Sequence, residues 1–429
     1  MRDKDNTPVS LRRPTHLYSI LILYFFLSIS LYTFRFKLIT MSYDKISLIR
    51  HKELLGKIGI YSKVKIKSLE DLSVFYTPGV AAVSREIAKK SCKVWDYTMR
   101  GNSVAVVTDG SAVLGLGNIG PEAAHPVMAG KALLFKEFAG IDAFPICLDT
   151  QDPKEIIKTV KYLAPSFGGI NLEDISAPRC FEIEEALQNI GIPVMHDDQH
   201  GTAVVVLAGL INATKVVGKK LEHCRIVICG AGAAGTAIAL MIARFSKNQA
   251  EICAVDRQGI ACSIEDKAHR EICHATNCKI ITGGLNRAVE GADIFIGVSA
   301  PDVLKKEMIK KMAKNPIIFA MANPIPEIMP EDAQKAGAAI VATGRSDFEN
   351  QVNNVLAFPG IFRGALDAKA TKITKEMKMA AALALAGCIK NPTKSRILPS
   401  PLEKSVVFKI AQAVKATAIK QKVVRSNCQ

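Results

Sequence analysis

The chain has 429 residues, 49% of them hydrophobic and 22% charged, which is long enough for two domains with sizeable cores and ordinary for a globular protein. The formal net charge is +16, of which six Lys/Arg against Asp3 and Asp5 place +4 in residues 1–40 and leave +12 on the rest. A basic surface can attract nucleic acid, but it steers dicarboxylates and dinucleotides equally well; without an aromatic-interleaved basic stripe or Cys/His finger spacing, the composition argues against nucleic-acid binding.

Residues 1–16 are polar and basic, and residues 17–34 carry no charge and are rich in Leu, Ile, Phe and Tyr. Eighteen such residues sit at the lower limit for crossing a bilayer. Arg12 and Arg13 favour a cytoplasmic N-terminus, whereas Arg35 and Lys37 behind the segment oppose it. No small-residue cleavage site follows, so a signal peptide is disfavoured. Two readings stay open: translation starting at Met41, where an ordinary globular pattern begins, or a membrane anchor. The 11 cysteines form no C-x-x-C pair, and most lie in apolar runs. That pattern points to buried free thiols in a reducing compartment rather than a disulfide framework or a zinc site.

Residues 42–60 read as an amphipathic helix, with Leu48, Leu54, Leu55 and Ile58 on one side. In Tyr76-Thr-Pro78-Gly79, Pro78 biases Thr77 to an extended conformation and Gly79 permits a turn, which places Tyr76 at a loop. Such a tyrosine is either a phenol donor or half-buried packing. Val104-Ala-Val-Val-Thr-Asp109-Gly110 is a strand entering a turn. Gly115-Leu-Gly117-Asn-Ile-Gly120 matches G-x-G-x-x-G, but Pro121, His125 and Pro126 interrupt the helix a dinucleotide site needs. It reads as a decoy, or as a glycine-rich loop lining a substrate pocket. Residues 128–136 form the next helix, and Lys131, set among small and apolar neighbours, is expected to have a desolvated amine with a lowered pKa. The bland alternative is a snorkelling surface lysine.

Further strands are expected at 144–148, at 168–172 running into Glu173-Asp174, and at 192–195 running into His196-Asp197-Asp198-Gln199-His200-Gly201-Thr202-Ala203. Carboxylates at two strand ends converge where open α/β sheets place ligands, and three oxygen ligands with room for water suit Mg²⁺ or Mn²⁺. The spacing of His196 and His200 suggests zinc, but the octet lacks the H-E-x-x-H glutamate and reads as a turn rather than mid-helix.

Beyond the octet, Cys224-Arg-Ile-Val-Ile-Cys229 is a buried strand leading into Gly230-Ala-Gly232-Ala233-Ala234-Gly235 and an uninterrupted helix. A second strand, 251–256, ends in Asp256. This is a complete βαβ unit, with glycines for pyrophosphate approach and an acid for the ribose hydroxyls. Asp256 favours NAD, while Arg257 could receive a 2′-phosphate, so NADP stays possible. Strands near 292–300, 317–323 and 338–343 continue the alternation. Asn323 (before Pro324), Asn353 and Asn354 lie at ends where they either face the same crevice or simply form turns. The last fifty residues are helical, with a Pro-rich break at 398–402.

Taken together, these segments resemble the malic enzymes, specifically the short bacterial-type subunit. The matching stretches are Tyr76-Thr-Pro-Gly-Val, Thr108-Asp-Gly with Leu114-Gly-Leu-Gly-Asn, Gly130-Lys131, Asn171-Leu-Glu-Asp174, the octet, the glycine fingerprint, Ala322-Asn-Pro, and Gln351-Val-Asn-Asn with Phe358-Pro-Gly. They run in one order over roughly residues 55–415 and leave 1–40 unmatched, which strengthens the start-site reading. No phosphotransacetylase-like extension is expected after the C-terminus. The long form of the family carries a carboxylate-binding arginine shortly after Thr-Asp-Gly; here Ala112 stands at that position, leaving the carboxylate's partner open.

The resemblance implies an α/β protein with an N-terminal substrate and metal domain at 41–200 and a Rossmann-type domain with C-terminal helices at 201–429. It implies oxidative decarboxylation of L-malate to pyruvate and CO₂ with reduction of NAD(P). Lys131 would be the general base, Tyr76 the general acid, Glu173, Asp174 and Asp198 the Mg²⁺ or Mn²⁺ ligands, and Asn323, Asn353 and Asn354 substrate contacts. A cytoplasmic homodimer is expected, with membrane association only through residues 17–34. Against this stand a metal-free hydroxy- or amino-acid dehydrogenase, which the acids disfavour, and a membrane-anchored sensor without catalysis, which nothing in the sequence supports.

Overall fold

The computed structural model describes residues 42–113, 115–260, 272–273, 275–278 and 282–426; the apolar segment 17–34 and Met41 lie outside them. Residues up to Gly59 form a unit of their own. Its helix α1 (Tyr43–Leu54) is shorter than the expected 42–60 and buries no residue. Leu55 turns left-handed at φ 53° and the Gly56 N–H returns to the His51 carbonyl, which ends the helix. The expected apolar face is therefore not covered within it: Leu48 and Leu54 are 74% and 65% exposed.

The unit from Ile60 onward begins with α2 (Leu69–Phe75), closed by a Ser68/Asp71 capping box, and α3 (Val80–Lys89). A first sheet then takes shape from β1 (Ser103–Thr108), β2 (Asp142–Cys147), β3 (Gly169–Leu172) and β4 (Val194–His196). Its strand order is β2-β1-β3-β4 and every pairing is parallel. Three helices connect the strands: α4 (Gly120–Ala139), α5 (Pro153–Leu163) and α6 (Arg179–Leu187). The register pairs Val107 with Leu172 and Leu172 with His196. The next acids along each strand, Asp109, Glu173 and Asp197, consequently emerge at one edge.

The sequence reading of 120–136 needs correction. Gly120–Ala139 is one continuous 20-residue helix containing Pro121, His125 and Pro126. Pro121 falls in the first turn, where its missing N–H has no partner to lose, and Pro126 is tolerated inside because the flanking Ala124, Met128 and Ala129 are buried. Tertiary packing overrides the local breaker.

After β4 the chain enters α7 (Asp197–Val217), a 21-residue helix ended by Gly218 at φ 70°. It is the one helix among the described residues long and apolar enough to cross a membrane, yet 67% of its apolar window is buried. It is a core helix. The second sheet comprises β5 (Arg225–Cys229), β6 (Glu251–Asp256), β7 (Gly259–Ile260), β8 (Ile294–Gly297), β9 (Ile317–Ala320) and β10 (Ile340–Thr343), with α8 (Ala233–Phe245) following β5. Its order is β10-β9-β8-β5-β6-β7, parallel except for the β6–β7 hairpin. The strand order reverses at β5, the position where such sheets bind nucleotides. Three C-terminal helices complete the fold: α9 (Phe358–Asp367), α10 (Lys375–Ala386) and α11 (Ser405–Lys420).

Strand alternation sorts the core. Val104 and Val106 of β1, with Ile226 and Ile228 of β5, join the α7 residues Val204–Leu207 in one cluster spanning both sheets. Ala105 and Val107 pack on the opposite face with α5 and α6, and Val227 and Cys229 on the outer face of the second sheet. The expectation of buried free thiols holds for Cys180, Cys224 and Cys229; Cys147, Cys278 and Cys388 are free but only partly buried. Cys92 departs from it and is disulfide-bonded; it lies in a short helical turn, not an apolar strand.

Phe135 of α4 is fully buried and meets Phe358 and Phe362 of α9 edge-on, at centroid distances of 4.7 and 5.3 Å. Phe135→Ala is expected to destabilise the protein by about 3–5 kcal/mol, read as a lowered midpoint in urea unfolding followed by far-UV circular dichroism.

Candidate active site

Four carboxylates and one amine gather beyond the C-terminal ends of β3 and β4. Lys131, on the inner face of α4, is only 9% exposed. Its Nζ lies 2.6 Å from Asp197 Oδ2 and 2.9 Å from Glu173 Oε1, and sits over the Phe358 ring at 4.6 Å. Glu173, Asp174 and Asp198 each offer one oxygen, all within 4.8 Å of one another. Asp174 takes a left-handed φ of 54°, and its backbone N–H donates to Asp198 Oδ2 at 2.7 Å. Asn171 Nδ2 donates to Glu173 Oε2 at 2.7 Å.

A snorkelling lysine is ruled out by this burial, but the expected lowered pKa is also wrong for the protein alone. Burial does oppose charge on Lys131. Asp197 and Glu173, with Asp198 behind them, outweigh it and hold the amine well above its ordinary value. Burial correspondingly pushes Glu173, Asp197 and Asp198 upward against the pull of Lys131. Four acids facing one ammonium in a buried site call for further positive charge. The donor set fits a hard divalent cation: oxygens at about 2.0–2.4 Å from one ion stand no more than about 4–5 Å apart. Two buried oxygens beside it, Asp197 Oδ1 and Asn171 Oδ1, have no hydrogen-bond donor.

The octet is a strand-to-helix junction, not the turn expected from sequence. His196 closes β4, and Asp197 and Asp198 occupy the first turn of α7, where the helix dipole favours negative charge. Gly201 is dictated by this geometry, since a Cβ there would fall 1.8 Å from Asp197 Oδ1. The histidines belong to a second network. Glu184 accepts from the His196 backbone N–H at 3.2 Å and the Gln199 side chain at 3.4 Å, and lies 2.8 Å from His200 Nε2. Burial pushes His196 down to about 4 despite Glu184. Its Nε2 lies 3.5 Å from Asp198 Oδ2 without a hydrogen bond, and neither histidine joins the acid cluster.

Sequence reading missed Asp197, Glu184 and Glu327. Asp197 carried a signal as the first acid of the octet; only the helix start shows that 197 and 198 face different partners. Glu184 and Glu327 carried none. Glu327 is fully buried and accepts the N–H groups of Ser299 and Ala322 at 2.9 and 3.0 Å, fixing the loop that presents Asn323. A Cβ on Gly115 would come within 2.8 Å of the Asn323 carbonyl oxygen, so the first glycine-rich loop abuts this one. Asn354 packs against Gly201, whereas the Asn353 side-chain oxygen is used in capping Val355 N–H at 2.9 Å. Tyr76 closes the C-terminal end of α2. It is 66% exposed, with no side-chain hydrogen bond among the described residues.

At the second sheet, Gly230 has φ 118°, and a Cβ on it would meet the Val298 carbonyl at 2.6 Å. A Cβ on Gly235 would fall 1.8 Å from the Gly230 oxygen, while space around Gly232 is open. The turn is thus tight at its ends and open in the middle, and Ala233 and Ala234 begin α8 there with free N–H groups suited to a pyrophosphate. Asp256 Oδ1 accepts from Gln258 and Gly259 N–H at 2.8 and 3.1 Å, and Arg257 is exposed.

Two parallel sheets, a glycine-turned βα unit at the switch point of one and a buried lysine-carboxylate cluster at the edge of the other define a two-domain nucleotide-dependent oxidoreductase. Residues 199–419 match the malic enzyme NAD-binding domain, and residues 56–155 and 150–188 match the malic enzyme N-terminal domain. The chain belongs to the malic enzyme family. It is 53% identical over 391 residues to a bifunctional malic/malolactic enzyme of Bacillus subtilis, covering 90% of this chain and 95% of that one. It is 55% identical over 379 residues to an NAD-dependent malic enzyme of Geobacillus stearothermophilus, covering 87% and 78%. The crystal structure of an NAD-dependent malic enzyme from Thermotoga maritima superposes with a TM-score of 0.82 at 52% identity, covering 86% of this chain and 98% of that one.

Burial alone would raise the Glu184 carboxyl, but His200 and, further off, Lys378 and His196 hold it at about 2. Its folded value lies below the ordinary 4.5, so its stabilisation is full above about pH 4.5 and lost as pH falls toward 2. Glu184→Gln removes an acceptor shared by the His196 N–H, Gln199 and His200 and is expected to cost about 1–3 kcal/mol at neutral pH, with the gap from wild type shrinking below about pH 4.5. Urea midpoints across that range would show it.

Proposed function

We propose that the chain oxidatively decarboxylates L-malate to pyruvate and CO₂ while reducing NAD(P)⁺, with Glu173, Asp174 and Asp198 holding Mg²⁺ or Mn²⁺. The observation that carries this reading is the buried Lys131 amine between Asp197 and Glu173, beside three carboxylate oxygens within 4.8 Å of one another. A divalent cation held there would supply Lewis-acid polarisation of the substrate's oxygens and offset the carboxylate charge. Asp197 orients Lys131; with a cation offsetting the carboxylates that hold its amine charged, Lys131 would pass a proton to Asp197 and, neutral, take the proton of the C2 hydroxyl as hydride leaves for the nicotinamide. Tyr76 protonates C3 after CO₂ departs, and Asn323 and Asn354 orient the substrate; Asn353, engaged in its cap, acts through Asn354. The open turn at Gly232 receives the pyrophosphate and Asp256 the ribose, with Arg257 placed beside a 2′-phosphate in NADP. In this reading residues 41–200 supply the metal ligands, Lys131 and Tyr76, and 201–429 the dinucleotide site and the substrate-orienting asparagines, in a cytoplasmic enzyme.

Several apolar residues in the stretch leading to Tyr76 are exposed, among them Ile60 at 91%, Leu69 at 82% and Phe75 at 51%. Apolar exposure on that scale marks an association surface, and supports a homodimer that covers it.

Incubation with malate, Mn²⁺ and either NAD⁺ or NADP⁺ is expected to yield pyruvate and reduced cofactor in equal amounts. Lys131→Ala is expected to lower kcat by about 10²–10⁴-fold, and Tyr76→Phe to spare reduction of oxaloacetate while impairing pyruvate formation. Oxaloacetate accumulating in place of pyruvate, or turnover indifferent to Mn²⁺, would overturn the reading.

A further inference from the structure

The buried lysine used in the mechanism has a counterpart that the mechanism does not use. Lys378, in the first turn of α10, is 8% exposed, and its Nζ makes no hydrogen bond or ion pair with any described residue. Burial lowers its amine to about 8, against a partial pull back from Glu184 and a weaker one from Glu376. Glu184 is already engaged with His200, His196 and Gln199. An unpaired buried ammonium is costly unless something else supplies the counter-charge.

Lys378 lines a cavity of about 130 Å³ between α8, α10 and the start of α7. Arg244 and Lys375 stand on its rim with His200 at its side. Arg244 is already paired with Glu376 at 2.7 Å, and no carboxylate among the described residues lines the cavity. The remaining walls, Ala237, Leu240, Met241 and Met379, are apolar. The space is comparable to an engineered cavity of about 150 Å³ that takes up benzene, and far below the roughly 300–1,000 Å³ of nucleotide or drug-sized sites. The chemistry is that of a small anion with a hydrocarbon body.

We propose that this cavity binds a short-chain organic carboxylate, with its carboxylate on Lys378 and its hydrocarbon against Ala237, Met241 and Met379. None of the wall residues belongs to the Lys131 cluster or to the dinucleotide turn. His200 and Glu184, whose hydrogen bonds reach the octet, link the two regions. The inference does not rest on malate turnover and is tested without it.

Butyrate titrated by calorimetry into the full chain, with neither malate nor cofactor present, is expected to bind saturably, while butanamide and inorganic phosphate bind at least tenfold more weakly. Lys378→Met, which replaces an unpaired buried charge with an apolar side chain of similar length, is expected to fold and to weaken butyrate at least tenfold. Leu240→Trp, at a 40% exposed wall position, keeps the charge but narrows the cavity mouth, and is expected to weaken butyrate as much; it decides the matter if Lys378→Met does not fold. Lys131→Met is expected to leave butyrate binding unchanged, which separates this cavity from the malate site. No binding to the wild type, equal binding of butanamide or phosphate, undiminished binding in the Lys378 and Leu240 variants, or loss in Lys131→Met would overturn the proposal.

Discussion

The buried contact of Lys131 with Asp197 and Glu173 is the constraint to which the rest of the structure answers. An ammonium with so little solvent needs carboxylates within hydrogen-bond reach, and these stand at 2.6 and 2.9 Å. Holding them there fixes the strand register that brings β3 and β4 to one edge, the start of α7 at Asp197, and the absence of a side chain at Gly201. The same edge carries Asp174 and Asp198, so the acids outnumber the amine. That excess sets this site apart from a lysine buried for stability alone, because a cluster built only for stability would balance its charge.

Helix α7 ties this edge to the second sheet. Its first turn carries the acids, and the residues that follow are buried in the core cluster shared by both sheets. Phe135, Phe358 and Phe362 form a second tie, and Phe358 also supplies the ring beneath Lys131. Substrate groups and dinucleotide groups therefore rest on a common core. Glu184 adds a polar strut, binding both histidines and Gln199 of the octet from α6.

Much of this was legible in the sequence, for identifiable reasons. Buried parallel strands announce themselves as apolar runs, and the β5–α8–β6 unit combines such runs with glycines whose spacing reflects backbone approach. The acids at 173, 174 and 198 were legible as a group because they follow strand ends. What local pattern could not show was any outcome set by tertiary packing. Gly120–Ala139 is a helix through two prolines because its inner face is buried. The Lys131 amine is driven upward rather than downward because Asp197 and Glu173, far apart in sequence, converge on it. Glu184 and Glu327 carry no motif, and Tyr76 proves to be mostly exposed, which no turn signal announces.

The central claim is that the excess carboxylate charge beside Lys131 exists to hold a divalent cation. Calorimetric titration of Mn²⁺ into the full chain, without malate or dinucleotide, tests it most directly. The account predicts one Mn²⁺ per chain, bound at least tenfold more weakly by Asp174→Asn and by Asp198→Asn, and no more weakly by Lys131→Met, which removes a competing positive charge. No saturable Mn²⁺ binding by the wild type, or binding indifferent to both acid substitutions, would contradict it.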